Sequence, residues 1–191
     1  ERRFSLISDG RLLFQSTGSG DLIEVMTAVH GLETARALIR AGRPPTPDDL
    51  LPSAAGEAGL PPPAVWGFIG LPSLHRANRN HIAFFINRRW IQDRALAYAV
   101  IEAYQSFLPV GRYPMATLFI ELEPSQVDVN VHPAKLEVKF SNERNIYTIL
   151  QAVVRRSLYH TDLTPSIGFR DVAGGDAPPD SFARTRHSTP E

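Results

Sequence analysis

The strongest constraint on this chain lies between Met115 and Phe140. Met115 to Leu122 (MATLFIEL) reads as a strand. Val127 to Val131 (VDVNV) then alternates with period two, its valines on one face and Asp128 and Asn130 on the other, and Leu136 to Phe140 (LEVKF) alternates again. Period-two patterning suits only a sheet with one buried face. A sheet is therefore required, and everything else in the chain has to pack on it or extend it.

The remaining pattern is mixed. Residues 4–17 read as two short strands around a Ser8-Asp9-Gly10 turn. Asp21 caps a helix carrying Leu22, Val25, Met26 and Val29 that Gly31 stops, and Glu33 to Ala41, with Ala35, Leu38 and Ile39, reads as a second short helix. Val65 to Leu71 is a strand in which Gly67 and Gly70 permit close approach or a bulge. Residues 72–80 lack periodicity and read as an exposed loop. His81 to Ile86 (HIAFFI) is a buried strand, Asn87-Arg88-Arg89 a turn and Trp90-Ile91 a short return. Asp93 caps a helix to about Phe107 with Leu96, Ala99, Val100, Ala103, Tyr104 and Phe107 on one face, and Pro109 ends it. Asn142 starts a last helix to about His160, with Ile146, Ile149, Leu150, Val153, Val154 and Leu158 apolar.

Two segments fall outside this pattern. Residues 42–63 hold seven prolines and read as a loop insertion; residues 161–191 are poor in apolar residues and read as a linker, disordered alone. Strands and helices without regular alternation predict an α+β fold: one sheet of about four or five strands with helices on one face.

Composition narrows the function classes. With 43% hydrophobic residues in 191 the chain can bury a core, and no run approaches the ~18–20 apolar residues of a membrane span. There is no cysteine, hence no disulfide framework and no thiolate metal site. Twenty basic and twenty acidic residues cancel, which argues against a uniformly basic coat and leaves local patches open. The chain starts at Glu1, as expected of a piece of a longer protein, without a secretory leader, so the expected compartment is the cytoplasm.

Two stretches carry a resemblance: FFINRRWIQDRAL (84–96) and LFIELEPSQVDVNVHPAKLEVKF (118–140). The D-V-N-V-H-P-x-K-x-E-V-x-F string from Asp128 to Phe140 resembles the MutL family of DNA mismatch-repair proteins, and the resemblance extends over roughly residues 4–160. It implies the transducer domain that follows the family's ATPase domain, with residues 1–17 the last strands of, or the seam with, that ATPase domain, 18–160 the transducer domain and 161–191 linker. It further implies a fold like the second domain of gyrase B, with a left-handed β-α-β crossover. The parent would bind ATP with Mg2+, mainly through the missing ATPase domain, act as a dimer, and work with DNA and a mismatch-recognition protein of the MutS type in a bacterial cytoplasm. The Glu-Asn pair and D-x-G-x-G loop of the ATPase are not in this chain, so no ATP turnover is expected of it alone, and no metal site.

The same resemblance places Lys135 at the ATP γ-phosphate, where a compact ammonium charge would sense the terminal phosphate. Asn130, His132 and Pro133 position that loop, the proline by fixing its φ. Residues 76–94 hold Arg76, Arg79, Arg88, Arg89 and Arg94 against the single acid Asp93, a pattern suited to DNA phosphates, and the resemblance marks Arg94 as a DNA contact. The competing account is a solvated arginine face paired to Asp93 or Glu102. Phe85 and Trp90 have rings that could stack on bases, but their place beside a strand assigns them to the core. Two other functions fit less of the string: a protein-interaction module, and the transducer domain of a type II topoisomerase, whose loop reads Q-T-K in place of H-P-A-K.

Overall fold

In the computed structural model, residues 5–9, 11–16, 18–46, 49, 61–128 and 138–161 are described. The chain opens with an antiparallel pair, β1 (Ser5–Ser8) and β2 (Arg11–Gln15), in which Asp9 takes a positive φ of 50° at the turn. Helix α1 (Leu22–His30) starts where Asp21 accepts a hydrogen bond from the Ile23 N–H, and Gly31 ends it at φ 83°. Helix α2 (Leu32–Arg36) is a single turn and a half, followed at once by β3 (Leu38–Gly42).

That last step corrects the sequence reading of Glu33 to Ala41 as one helix. Ile39 and Ala41 point into the main core and Leu38 to the opposite side, a period-two arrangement fixed by pairing with β4 (Ala64–Gly70). Cross-strand burial here outweighs the modest helix propensity of LIRA. The 42–63 insertion is therefore the connection of an antiparallel pair: it leaves from Gly42 and returns at Ala64. Its described part includes a bidentate Arg43–Asp49 pair at 2.7 and 2.9 Å, and Asp49 also accepts from the backbone N–H and hydroxyl of Thr46. These bonds, the Arg43 one first, hold the Asp49 carboxyl far below the usual carboxylate range.

Beyond β4 the loop 72–80 is less irregular than its sequence suggests. It contains β5 (His75–Arg76), which pairs with β8 (Tyr113–Pro114), and a 3-10 turn over Arg79–His81. Strands β6 (Ile82–Ile86) and β7 (Arg89–Ile91) follow, then α3 (Arg94–Ala103), β9 (Ala116–Glu121), β10 (Val127–Asp128), β11 (Lys139–Phe140) and α4 (Glu143–His160). Helix α3 ends four residues before Phe107; the chain continues in turns closed by Tyr104 O, which accepts from Phe107 N–H at 2.8 Å.

The central sheet has the order β3-β4-β9-β6-β7, with β6 and β9 parallel and the other neighbours antiparallel. One face carries Val65, Ile69, Phe84, Ile86, Leu118 and Ile120, all buried against Leu96 and Val100 of α3 and Leu150, Val154 and Leu158 of α4. This α+β arrangement, a five-stranded mixed sheet with four helices, agrees with the sequence reading in class and strand number, but the helices are not confined to one face, because Met26 of α1 finds its apolar partners, Leu38 and Phe68, on the other. A smaller cluster of Met26, Leu38, Phe68 and Met115, with Leu22 and Ile23 beside it, packs α1 over one end of the other face.

Two contacts lock the layers. Tyr104 is fully buried and its hydroxyl donates to the Gly70 carbonyl at 2.5 Å, tying α3 to the end of β4. Glu102 on α3 accepts from the Tyr147 hydroxyl at 2.8 Å and from Gln151 at 2.5 Å, tying α3 to α4. Gly67 (φ 146°) crosses the centre of β4 where a Cβ would lie 2.2 Å from the Thr117 carbonyl oxygen, so the close approach read from the sequence is real. Among the described residues no helix is long and apolar enough to cross a membrane.

Candidate nucleic-acid interface

The arginines at the edge of the sheet are positioned by one asparagine. Asn87 and Arg88 link β6 to β7, with Ile86 opposite Arg89, and both take positive φ, 45° and 68°. Two successive left-handed residues make the tight turn whose twist matches a hairpin. Asn87 tolerates that backbone because its side chain is bonded on both ends: Nδ2 donates to Leu122 O at 3.0 Å and Oδ1 accepts from Leu122 N–H at 3.1 Å. Its own N–H donates to Ile120 O at 3.0 Å. The turn is thus fixed to the residue that follows β9, and Arg88 and Arg89 emerge from it exposed.

Arg94 is the first residue of α3 and exposed. The neighbouring Asp93 accepts from the Leu96 N–H at 2.9 Å as the helix cap. Glu102, the other acid considered as an arginine partner, is held by Tyr147 and Gln151. Hence the salt bridges to Asp93 or Glu102 weighed from the sequence do not form, while the arginine face stays solvated: the ion pairs between described residues are Arg36–Glu33 and Arg43–Asp49, and neither involves Arg76, Arg79, Arg88, Arg89 or Arg94.

The five arginines do not converge on one point. Arg76 and Arg79 precede β6 and Arg88 follows it, and five residues of strand at ~3.3 Å each separate the two ends by roughly 16 Å. Arg76 pairs in register with Tyr113 and is half-buried, while Arg79 is exposed. Near them the end of α1 brings in His30, whose pKa is lowered by burial and then by repulsion from His81 and Arg76. The arginines thus lie at both ends of β6, on β5 and at the start of α3, a spread that suits successive phosphates better than one compact anion.

Trp90 departs from its expected place in the core. It is 46% exposed, because β7 is the edge strand and its core-facing position is taken by Ile91. Phe85 is half-buried on the face away from α3 and α4, stacked on Phe119 at 5.0 Å. Sequence reading missed two features there: an aromatic row including Trp66 and Phe119, and Arg40, whose exposed guanidinium lies 5.7 Å over the Phe68 ring. The signal was present as aromatics at alternate positions of strands already identified.

A cavity of about 620 Å³ opens beside the same turn, between Arg43, Asp49, Arg88, Glu121 and Glu123. Its charges are mixed, and Arg43 is tied to Asp49.

Lys135, His132, Pro133 and Asn130 lie outside the described residues, as do residues 162–191 of the expected linker. The strands that bracket the first four are described: β10 and β11 pair antiparallel, Val127 opposite Phe140 and Asp128 opposite Lys139. Among the described residues no group of three or more His, Asp or Glu side chains is arranged to hold a metal ion.

Comparison with known proteins bears on this geometry. The family described as "DNA mismatch repair protein, C-terminal domain" matches residues 49–159. A DNA mismatch repair protein MutL of Streptococcus equi subsp. zooepidemicus is 39% identical over 165 residues, covering 86% of this chain and 23% of the relative. One of Geobacillus thermodenitrificans is 37% identical over 164 residues, with the same coverage. The chain thus spans about a quarter of the length of these relatives. A solved structure titled "Crystal Structure of N terminal domain of a DNA repair protein" superposes with a TM-score of 0.61 at 19% identity, over 78% of this chain and 42% of that one, which is a likeness of fold.

Proposed function

The chain belongs to the MutL family of DNA mismatch-repair proteins, and from that premise we propose that it is the family's transducing and DNA-binding module, coupling ATP binding in a neighbouring ATPase domain to closure of a dimeric clamp on DNA. The observation that supports the DNA part is a set of exposed arginines without ion pairs among the described residues: Arg88 and Arg89 at the β6–β7 turn that Asn87 ties to Leu122, Arg79 before β6 and Arg94 at the start of α3. Guanidinium groups so presented contact phosphate oxygens without reading sequence, and their affinity falls steeply with salt.

In this reading residues 1–17 border the ATPase domain, 18–160 form the transducer and 161–191 lead into the rest of the parent. ATP with Mg2+ is held chiefly by the ATPase domain, and its terminal phosphate supplies the negative charge that Lys135 meets. Lys135 stands on the segment bracketed by β10 and β11, so its engagement would pull on a pair of strands that continues directly into α4. Asn130, His132 and Pro133 shape that segment. The partners are DNA, the parent's own ATPase domain, a second protomer and a mismatch-recognition protein of the MutS type, in a bacterial cytoplasm. The fragment alone turns over no ATP; the parent is a slow ATPase.

The test uses the parent protein. Arg94→Glu is expected to abolish duplex binding at low salt while leaving ATP turnover without DNA intact, and Lys135→Ala to slow turnover without unfolding. Unchanged DNA binding in Arg94→Glu and unchanged turnover in Lys135→Ala would overturn the two halves separately.

A further inference from the structure

At the end of β6 away from the Asn87 turn, α1 is brought to β5 by apolar packing. Met26 of α1 belongs to one cluster with Met115, which follows β8, and Leu74, which precedes β5, packs against that cluster. His30 lies four positions after Met26, on the same helix face, and is half-buried. Arg76 of β5 is half-buried too and is fixed by its register with Tyr113. Its neighbour His75 points to the opposite face of the strand. The 3-10 turn that follows starts where Asn78 accepts from the Asn80 N–H at 3.1 Å, and it carries Arg79 and His81 exposed.

Three elements thus gather cationic side chains, and none of His30, Arg76, Arg79 and His81 is in an ion pair among the described residues. Burial first, then repulsion from His81 and Arg76, holds the His30 pKa below the ordinary imidazole value. Helix α1 packs on α2 and β2. Of these, α2 carries Glu33 and Arg36, paired with each other, and β2 carries Arg11. The acid of α1 itself, Glu24, stands in the first turn, where it accepts from the Ser19 hydroxyl at 2.7 Å. Like charges gathered without a counter-charge repel, and one anion relieves all of them. A guanidinium fork beside two imidazole N–H donors suits the oxygens of a phosphate.

We propose that His30, Arg76 and His81 form a site for a DNA backbone phosphate, separate from the Asn87 turn and at the opposite end of β6. The proposal rests on the reading of this domain as DNA-binding and adds two histidines to it. A phosphate among these groups replaces repulsion by attraction, so both imidazoles hold protons more tightly in the complex than in the free protein. Binding therefore takes up protons, and affinity rises as pH falls. The guanidinium contacts at the Asn87 turn stay charged throughout that range, so they add no such dependence.

The experiment titrates the 191-residue chain with a duplex of mixed sequence, at fixed low ionic strength, between about pH 8 and 5. Affinity is expected to rise about tenfold over that range, with roughly one proton taken up per complex. Calorimetry in two buffers of different ionisation enthalpy counts the protons. His30→Gln and His81→Gln should each flatten the rise and lower the count. In the native chain, the NMR resonances of both rings should titrate at higher pH with duplex than without. Those resonances and the exposed His81→Gln decide the matter even where His30→Gln does not fold. The same pH dependence in the native chain and both variants overturns the site and leaves the arginine contacts standing. Absence of duplex binding at every pH overturns the DNA reading with it. Inorganic phosphate that moves both titrations as far as duplex does overturns the assignment to a DNA backbone and makes this a site for free phosphate.

Discussion

Asn87 and Leu122 exchange two hydrogen bonds, the side-chain amide of the one closing on both backbone groups of the other. The pair joins the β6–β7 turn to the end of β9, thirty-five positions along the chain. Asn87→Ala removes both bonds, leaves the buried Leu122 backbone unpartnered and puts alanine at a positive φ. It should lower stability by about 2–3 kcal/mol in urea unfolding. Asn87→Asp keeps the acceptor for Leu122 N–H and loses the donor, so an intermediate midpoint is expected.

Gly67 and Gly111 both have positive φ, but only one is confined. A Cβ at Gly67 would lie 2.2 Å from the Thr117 carbonyl oxygen, whereas nothing stands within 4 Å of one at Gly111. Gly67→Ala should therefore cost roughly 3 kcal/mol or more, and Gly111→Ala about 1 kcal/mol from backbone strain alone. Paired denaturant curves read the difference. Similar midpoints for the two variants would mean that β4 and β9 separate easily.

DNA affinity should report on the turn arginines through its salt dependence. Each phosphate neutralised contributes a slope of about −0.9 in log affinity against log salt. The double variant Arg88→Ala/Arg89→Ala should flatten the slope by about 1.8, measured by anisotropy on a duplex over a series of salt concentrations. An unchanged slope would remove this turn from the interface.

Tyr147 is the group whose ionisation tracks helix docking. Burial, then its hydrogen bond to Glu102, pushes its pKa up to about 12 from the ordinary value of 10.0. The folded state therefore holds this proton more tightly than the unfolded one. Its contribution to stability is complete below pH 10 and is lost as pH rises toward 12. Thermal unfolding between pH 10 and 12 should show a steeper loss in the native chain than in Tyr147→Phe; equal slopes would show that the phenol titrates freely.

Much of the architecture was legible because two periods dominate the sequence. The 3.6-residue spacing of Leu96, Val100 and Tyr104, and of Ile146, Leu150 and Val154, matches the faces that α3 and α4 bury. Leu38 and Ile39 were misread because five residues bearing leucine, isoleucine and alanine satisfy either period, and pairing with Phe68 to Gly70 decides between them. Trp90 was misread because nothing local marks β7 as the last strand of the sheet; edge position is a property of topology. The arginine cluster was legible as a count, while its lack of ion pairs was not: that follows from Asp93 capping α3 and Glu102 bonding α4.

The place of β9 has a consequence for synthesis of the chain. Ile120 lies opposite Val65 on one side and Ile86 on the other, so residues 116–121 are the common partner of two strands made earlier. As the polypeptide leaves the ribosome, β3 with β4 and β6 with β7 can each close as a ribbon, but the two ribbons cannot join. Until Ala116–Glu121 emerges, β4 and β6 each present an unsatisfied strand edge, the form of nascent chain most open to mispairing and to capture by chaperones. The last strand of the sheet to be made is its middle one, and translation rate through that stretch sets how long the edges stay open.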